Sequence, residues 1–404
     1  MRQFASSAFD SLAEINFLEN PGAINVVAQA SDADDLFFRL SALTNTPLEP
    51  GRTLLFLDEI QECQDLLTWV KFLSDRSGLA IVLSGSLLGP DTYVHVRSPP
   101  VGFLQKLTMH PLDFEEFCWA NGMLPEVFDR VRASYHRLEP VPDFLHERLM
   151  SLFYTYLLIG GMPDAVQAFV DTHDSATVRA IQRSIVELYA DDVTTYVADP
   201  LEARQIKMVY EAIPAQLNAP SKRFKYTRLG KQLRFANLET AFDWLTQAGI
   251  AIAVPHVGSP EFPLGLAEDR SKFKLFPNDV GLLTSQLMGT VDVNLLNRQG
   301  AINYGSIFEA VTAQELVAHG HTPRYLASKG TGEVDFVIES TRTGQVLPIE
   351  VKSGKDYKRH SALSNLLGDP ARGIARAVVL HDGNLEVKSA VHYLPIYMAG
   401  VVEA

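Results

Sequence analysis

The first third of the chain alternates segments of helical periodicity with continuous apolar runs. Apolar residues recur at three- and four-residue spacings in residues 2–13, 32–44 and 65–76, which predicts helices there. Residues 52–60 (RTLLFLDEI) and 79–86 (LAIVLSGS) are unbroken apolar runs of strand length, as expected of strands that are covered on both faces. Strand, helix and strand in this order predict a parallel α/β sheet.

Long helices dominate the middle of the chain. A segment that starts near residue 112, PLDFEEFCWANG, opens with the proline and acidic residues of a helix start, and helical periodicity then covers residues 148–170 and 176–197. Residues 203–257 contain two shorter helical stretches and the apolar ending IAIAVPHV, which is the order of elements in a winged helix. Residues 270–404 alternate strand and helix again. The predicted fold class is a multidomain α/β protein.

Composition limits the classes of protein that this chain can belong to. Its 404 residues are 47% hydrophobic and 21% charged, as is ordinary for a soluble globular protein. No apolar run reaches the roughly eighteen residues of a membrane span, and the first residues lack the features of a signal peptide. Cys63 and Cys118 have neither a disulfide framework nor metal-ligand spacing. We therefore expect a cytoplasmic protein with no membrane partner.

The charge pattern contains two local reversals. A formal net charge of −13 argues against a general nucleic-acid binder whose whole surface is positive. Residues 222–234 (KRFKYTRLGKQLR) nevertheless hold six Lys and Arg residues and no acidic one. A second basic cluster consists of Lys352, Lys355, Lys358, Arg359 and His360. Contact with nucleic-acid phosphates and a solvated helix face are equally good interpretations of both clusters.

The run RTLLFLDEI ends in residue types that a nucleotide-hydrolysing site needs. Asp58 at a strand end can hold the shell of a magnesium ion, Glu59 can polarise the attacking water, and Ser84 on the next strand can help to position that water. Such a site also needs a glycine-rich loop with Lys-Ser/Thr that cradles the phosphates. Gly22 and Gly51 are the only glycines before residue 52, and neither opens such a loop. The alternative is a buried strand that ends in an acidic turn.

An ordered set of motifs covers nearly the whole chain and includes LLFLDEIQEC, AIVLSGS, YLLIGGMPDAV, YADDVTTYV, FKLFPNDVGLL, GSIFEAVTAQEL and EVDFVIE…LPIEVKSG. The set resembles a prokaryotic family of AAA-type ATPases. Members pair an N-terminal ATPase domain with a C-terminal domain of unknown function, and the last part of that domain resembles the PD-(D/E)XK nuclease fold.

The resemblance implies four domains. These are an incomplete parallel-sheet AAA-type ATPase core that lacks the phosphate loop (1–111), a helical lid (112–200), a winged-helix-like domain (201–265) and a PD-(D/E)XK nuclease-like α/β domain (266–404).

The family pattern also implies two departures in this chain. The phosphate-binding loop of the family precedes a helix similar to residues 1–12, so we expect the chain to begin just after that loop. Asp58, Glu59 and Ser84 would then form a vestigial nucleotide site, and ATP would be a cofactor only if the loop were supplied. The family also commonly has a basic residue where this chain has Phe103, and Lys106 follows three residues later.

The nuclease-like segment contains a second set of candidate residues. The nuclease fold supplies an Asp on one strand, Glu-x-Lys on the next and often a Glu from the preceding helix, and the matching residues are Glu309, Asp335, Glu350 and Lys352. Glu350 and Lys352 are two residues apart and share one strand face. Burial of Asp335 with Glu350 would be costly without a cation, which Lys352 or a Mg²⁺ ion bound by the two carboxylates would supply. The alternative is a structural ion-pair network without catalysis.

Three hypotheses for function follow from these motifs. The first is an AAA-type family protein that does not hydrolyse ATP as this chain and has a nuclease-like C-terminal domain that acts on DNA. The second is a non-enzymatic regulatory or interaction protein in which both sites are vestigial. The third is an N-terminally truncated, active ATPase. The partners that these hypotheses imply are DNA and further copies of the chain.

Overall fold

The computed structural model describes residues 1–85, 104–288, 304–354 and 356–404. The chain divides into two compact units, Met1–Met109 and His110–Ala404. Phe103 and Lys355, which the sequence analysis singled out, lie outside the described residues.

The first unit contains a three-stranded parallel sheet in the order β1-β2-β3. Its strands are β1 (Ser11–Asn16), β2 (Thr53–Asp58) and β3 (Ala80–Leu83). Its helices are α1 (Arg2–Ala8), α2 (Pro21–Ala28), α3 (Ala33–Thr44) and α4 (Asp65–Ser77). The parallel α/β sheet that the sequence predicts is therefore confirmed.

Strand β2 is the central strand of this sheet, and its side chains are buried on both faces. Its first five residues are buried, as the unbroken apolar run predicts. The helix predicted for residues 2–13 is wrong in its second half, because α1 ends at Ala8 and β1 begins at Ser11. Ser11 pairs with Thr53, so pairing with β2 overrides the local helical periodicity.

The second unit begins with the long helices that the sequence predicts. Its helices are α5 (Phe114–Ala120), α6 (Glu126–Arg137), α7 (Asp143–Ile159), α8 (Pro163–Thr172), α9 (Ser175–Tyr196), α10 (Pro200–Leu217), α11 (Glu239–Gln247), α12 (Val280–Met288), α13 (Tyr304–Ala318) and α14 (Ser361–Leu367). No helix in the described ranges is long and apolar enough to cross a membrane.

The turn between α7 and α8 depends on two glycines. Gly160 has a φ of +73°, and a Cβ on Gly161 would lie 1.9 Å from the carbonyl oxygen of Leu112. The N–H of Gly161 donates to Oδ2 of the fully buried Asp279 at 2.6 Å. The sequence GGMP therefore forms a tight turn between two helices.

An eight-stranded mixed sheet lies at the centre of the second unit, in the order β10-β11-β9-β8-β7-β6-β4-β5. The strands are β4 (Ala251–Val257), β5 (Glu268–Pro277), β6 (Arg324–Ser328), β7 (Gly332–Glu339), β8 (Val346–Val351), β9 (Ala377–His381), β10 (Glu386–Lys388) and β11 (Val391–Pro395). Strand β4, the expected wing, pairs with β5 and also with β6. It thus shares a sheet with the C-terminal strands, and the winged helix and the domain boundaries stay predictions.

Helix α13 packs inside the second unit rather than on its surface. Every residue from Ser306 to Leu316 is buried, and the two acidic residues Glu309 and Glu315 are buried with the others. A helix that is covered all round lies in the interior of a domain. Each of its two buried carboxylates therefore needs a partner inside the protein.

Candidate functional site

Three elements of the second unit bring the predicted carboxylates together. Strands β7 and β8 are antiparallel neighbours in which Phe336 pairs with Ile349, so Asp335 and Glu350 occupy adjacent positions of the two strands. The N–H of Val351 donates to Oδ2 of Asp335 at 2.9 Å and fixes this carboxylate on β8. Helix α13 contributes Glu309, which is 3% exposed.

A buried lysine joins these carboxylates. Lys274 of β5 is 1% exposed, and its Nζ lies 3.2 Å from Oε2 of Glu309, 3.1 Å from Oε1 of Glu333 and 3.4 Å from Oδ1 of Asp335. One ammonium group therefore bridges carboxylates from α13 and from two positions of β7.

Two further lysines complete the pairing. Lys222 Nζ pairs with Oε1 of Glu309, so each oxygen of that carboxylate contacts an ammonium group. Lys352 Nζ lies 2.7 Å from Oε1 of Glu350. The other oxygen, Oε2 of Glu350, is buried and has no hydrogen-bond partner in the described part of the chain. One carboxylate oxygen of the cluster is therefore open to a further cation or donor.

Burial and the neighbouring charges together set the pKa values of the cluster. Burial, together with the negative charge of Asp335, raises the pKa of Glu350 to about 7 and also raises the pKa of Glu309. Burial would likewise raise the pKa of Asp335, but the positive charges of Lys274 and Lys222 outweigh it and lower that pKa. Burial alone would lower the pKa of Lys274, whereas the surrounding carboxylates raise it overall. Asp335 and Lys274 are therefore both charged at neutral pH.

The cluster as a whole is close to electrical balance. Four carboxylates face three ammonium groups, and we call these seven side chains the carboxylate–lysine cluster: Glu309, Glu333, Asp335, Glu350, Lys222, Lys274 and Lys352. A full set of protein ligands for a metal is not found, since no group of three His, Cys, Asp or Glu side chains in the described ranges could hold an ion. Mg²⁺, however, usually takes only one or two carboxylates and completes its shell with water and substrate phosphates. Asp335 and Glu350, with the unpartnered Oε2 atom, fit that requirement.

The sequence predicted four members of the cluster and missed three. Glu309, Asp335, Glu350 and Lys352 lie together as the nuclease-like pattern implies, although their catalytic and metal-binding roles stay predictions. Lys274, Lys222 and Glu333 were not predicted. A signal for Lys274 was available, because this lysine stands inside the apolar strand sequence FKLFP. A lysine in a buried strand implies an acidic partner.

In the first unit, the predicted nucleotide-site residues lie at the carboxyl ends of the parallel strands. Oδ1 of Asp58 accepts a hydrogen bond from the Ser84 hydroxyl, and Oδ2 accepts one from Nδ2 of Asn16 at 2.9 Å. Asn16 pairs with Asp58 in the register of β1 and β2, a neighbour that the sequence analysis missed. Glu59 follows with a φ of +56°, and Nε2 of Gln61 donates to its side chain. The nucleotide-binding roles of Asp58, Glu59 and Ser84 stay predictions.

The parallel sheet and helices of the first unit are consistent with an AAA-like α/β fold. The family described as AAA domain matches residues 1–118, a domain of unknown function (DUF8612) matches residues 150–292, and another (DUF4143) matches residues 304–398. No curated protein matches the chain. The AAA domain at the N-terminus and the DUF4143 domain at the C-terminus together support an AAA-type ATPase family, as the sequence motifs implied.

Proposed function

We propose that the second unit hydrolyses phosphodiester bonds of nucleic acid with the help of Mg²⁺, and that the carboxylate–lysine cluster is its active site. The observation that supports this proposal is the convergence of Glu309, Asp335, Glu350 and Lys352. Glu309, Asp335 and Glu350 come from one helix and two strands, Lys352 follows directly after the second strand, and the four side chains meet in a single cluster.

Asp335 and Glu350 would hold the metal ion, which supplies charge neutralisation and a more acidic bound water when it is present. The N–H of Val351 keeps Asp335 in place, and Lys352 keeps Oε1 of Glu350 in place. The ammonium group of Lys352 is half-buried rather than enclosed, so it can also face a bound phosphate and stabilise negative charge that develops there. Lys274 and Lys222 position Glu309 from the buried side.

A second candidate function uses the same contacts without catalysis. The three ammonium groups already compensate most of the carboxylate charge, so the cluster is also suited to be a structural ion-pair network in a regulatory or interaction protein. The unpartnered Oε2 atom of Glu350 favours the catalytic proposal, because a purely structural network gains nothing from an open acceptor.

Cleavage of labelled single-stranded DNA, duplex DNA and RNA by the full chain, in Mg²⁺ and in EDTA, tests the proposal. We expect Lys352→Ala to slow metal-dependent cleavage by about 100-fold or more, as loss of a charge-stabilising group typically does. The exposed Lys329, which lies in the turn before β7, provides the matched control Lys329→Ala, and we expect no change from it.

A second readout does not depend on turnover. Asp335→Asn and Glu350→Gln should each weaken the binding of Mn²⁺, measured by calorimetry on the full chain. If the wild type cleaves none of the three nucleic acids, or if Lys352→Ala cleaves as fast as the wild type, the catalytic proposal fails and the structural network stands.

A further inference from the structure

A basic segment lies between α10 and α11. This segment, residues 222–234, contains six Lys and Arg residues and no acidic residue. Four of its cations are exposed, and no carboxylate pairs with them in the part of the chain that the structure describes: Lys225, Arg228, Lys231 and Arg234. In a protein of net charge −13, four exposed and unpaired cations in ten residues form a local positive surface.

The backbone of the basic segment is fixed on the free edge of the eight-stranded sheet. Strand β5 is the last strand of that sheet, and Arg223 forms an antiparallel bridge with Lys274. The N–H of Phe224 donates to the carbonyl oxygen of Phe273 at 2.9 Å. The side-chain amide of Gln216 donates to the backbone carbonyl of Lys225 and accepts from the backbone N–H of the same residue. The exposed cations therefore project from an anchored backbone.

An aromatic cluster lies beneath the segment. The rings of Phe224, Tyr226 and Phe235 pack against Phe242 and Phe273, with centroids between 4.7 and 6.3 Å apart. These contacts involve the aromatic residues that interleave with the cations, so the rings serve to anchor the segment. The surface that the segment offers to a partner is consequently its charge rather than its aromatic faces.

The basic segment is continuous with the carboxylate–lysine cluster. Its first residue, Lys222, pairs with Glu309, and its second, Arg223, bridges the backbone of Lys274. Positive charge therefore extends from the buried cluster along the segment to the solvent. A polyanion bound along the exposed cations would have one end next to Glu309.

The second basic cluster of the chain has a different environment. Lys358 and Lys388 both pair with Glu386, at 3.2 and 3.0 Å, and Arg359 lies 4.0 Å from Asp356. Lys352, Lys358 and Arg359, the described Lys and Arg residues of this cluster, each have an acidic partner, unlike the four exposed cations of the basic segment. The structure thus distinguishes two clusters that the sequence made equally good candidates.

We infer that the basic segment binds the sugar–phosphate backbone of nucleic acid and leads it to the carboxylate–lysine cluster. The destination rests on the proposed function, but the binding surface does not. A phosphate backbone fits because it presents regularly spaced negative charges, and its binding is driven by the release of counterions. The net charge of −13 disfavours binding of a polyanion to the protein in general, so a local surface of unpaired cations is the expected point of contact.

Equilibrium binding of a fluorescent 20-nucleotide DNA to the full chain, followed by anisotropy in EDTA at several salt concentrations, tests the inference. We expect Lys225→Glu/Arg228→Glu/Lys231→Glu to weaken binding at least tenfold. The slope of the logarithm of the binding constant against the logarithm of the salt concentration should fall by the equivalent of about two to three phosphate contacts. Arg130→Glu/Arg137→Glu/Arg148→Glu makes the same change in net charge at exposed positions of α6 and α7, and we expect it to retain binding within about threefold.

Equal loss of binding in both triple variants, or no loss in the first, would overturn the inference. Polyglutamate is a second probe, since competition as effective as that of unlabelled DNA would show a general anion surface and would also overturn it. The milder variant Lys225→Gln/Arg228→Gln/Lys231→Gln covers the case in which the charge reversals do not fold. Because EDTA removes the metal ion, this assay measures binding without cleavage. A wild type that binds DNA in EDTA but does not cleave it in Mg²⁺ would contradict the proposed function and leave the basic segment as a nucleic-acid site.

Discussion

The two units each place carboxylates at strand positions, but they balance the negative charge in different ways. At the end of β2, the half-buried Asp58 accepts hydrogen bonds from an amide, on Asn16, and a hydroxyl, on Ser84. In the second unit, Glu309 and Asp335 are held by ammonium groups, and the central one, Lys274, is almost fully buried.

This difference shows how burial decides the choice of partner. A carboxylate that water still reaches needs only neutral donors, whereas one inside a domain needs a cation or a proton. The lysines of the carboxylate–lysine cluster are thus a condition for folding as well as candidate parts of a site. Asp58 does not need a cation, so the loss of one of its hydrogen-bond partners should lower the stability of the protein much less.

Replacement of Lys274 should have the largest effect on stability. Lys274→Met keeps the apolar stem but leaves Glu309 and Asp335 without their shared cation, so we expect a loss of about 3–5 kcal/mol in the free energy of unfolding. The measurement is urea denaturation followed by circular dichroism. Lys272→Met is the matched control on the same strand, where an exposed pair with Asp269 contributes less than about 1 kcal/mol.

Equal losses in Lys274→Met and Lys272→Met would contradict the role assigned to the buried ammonium group. If Lys274→Met does not fold, the double variant Lys274→Met/Asp335→Asn still tests it, because it removes the negative charge of one of the two carboxylates that lose the Lys274 ammonium group. We expect this double variant to be more stable than the single one, since the two residues interact directly.

Glu315 extends the comparison, because it is a buried carboxylate for which the described residues provide no lysine partner. Burial, reinforced by the negative charge of Asp113, raises the pKa of Glu315 from its ordinary value of 4.5 to about 8. The folded state therefore binds a proton more tightly than the unfolded state, and stability should fall as pH rises from about 4.5 to about 8. Glu315→Gln imitates the protonated form, which accepts from the N–H of Phe114 and lies near the Tyr156 hydroxyl.

We expect the stability of Glu315→Gln relative to the wild type to increase between pH 6 and pH 9, by an amount on the order of 3 kcal/mol. Urea denaturation of both proteins across this range measures the difference, in which the titration of the remaining groups cancels. A difference that does not change with pH would show that Glu315 is ionised in the folded protein.

The sequence could predict the elements whose pattern is local and the site residues that belong to a motif. Continuous apolar runs identified β2 and β3, and the nuclease-like pattern identified Asp335, Glu350 and Lys352. Lys274 and Lys222 were missed because they come from β5 and from the loop after α10, and their partners are distant along the chain. The C-terminal end of α1 was missed for the same reason, namely a partner that is distant along the chain. The pairing of Ser11 with Thr53 is not visible in local periodicity.

Asn16 provides the smallest predicted effect and tests the other side of the comparison. Its Nδ2 donates to Asp58, and its Oδ1 accepts from the N–H groups of Leu18 and Glu19, at 2.9 and 3.0 Å. Asn16→Ala removes these contacts next to solvent, so water can replace them, and we expect a loss of about 1 kcal/mol. Urea denaturation measures this loss. The control is Ser6→Ala on α1, whose exposed hydroxyl donates to the carbonyl of Gln3. A loss for Asn16→Ala as large as that for Lys274→Met would mean that the Asp58 carboxylate is as dependent on its partners as the buried ones, and that burial does not explain the difference between the two units.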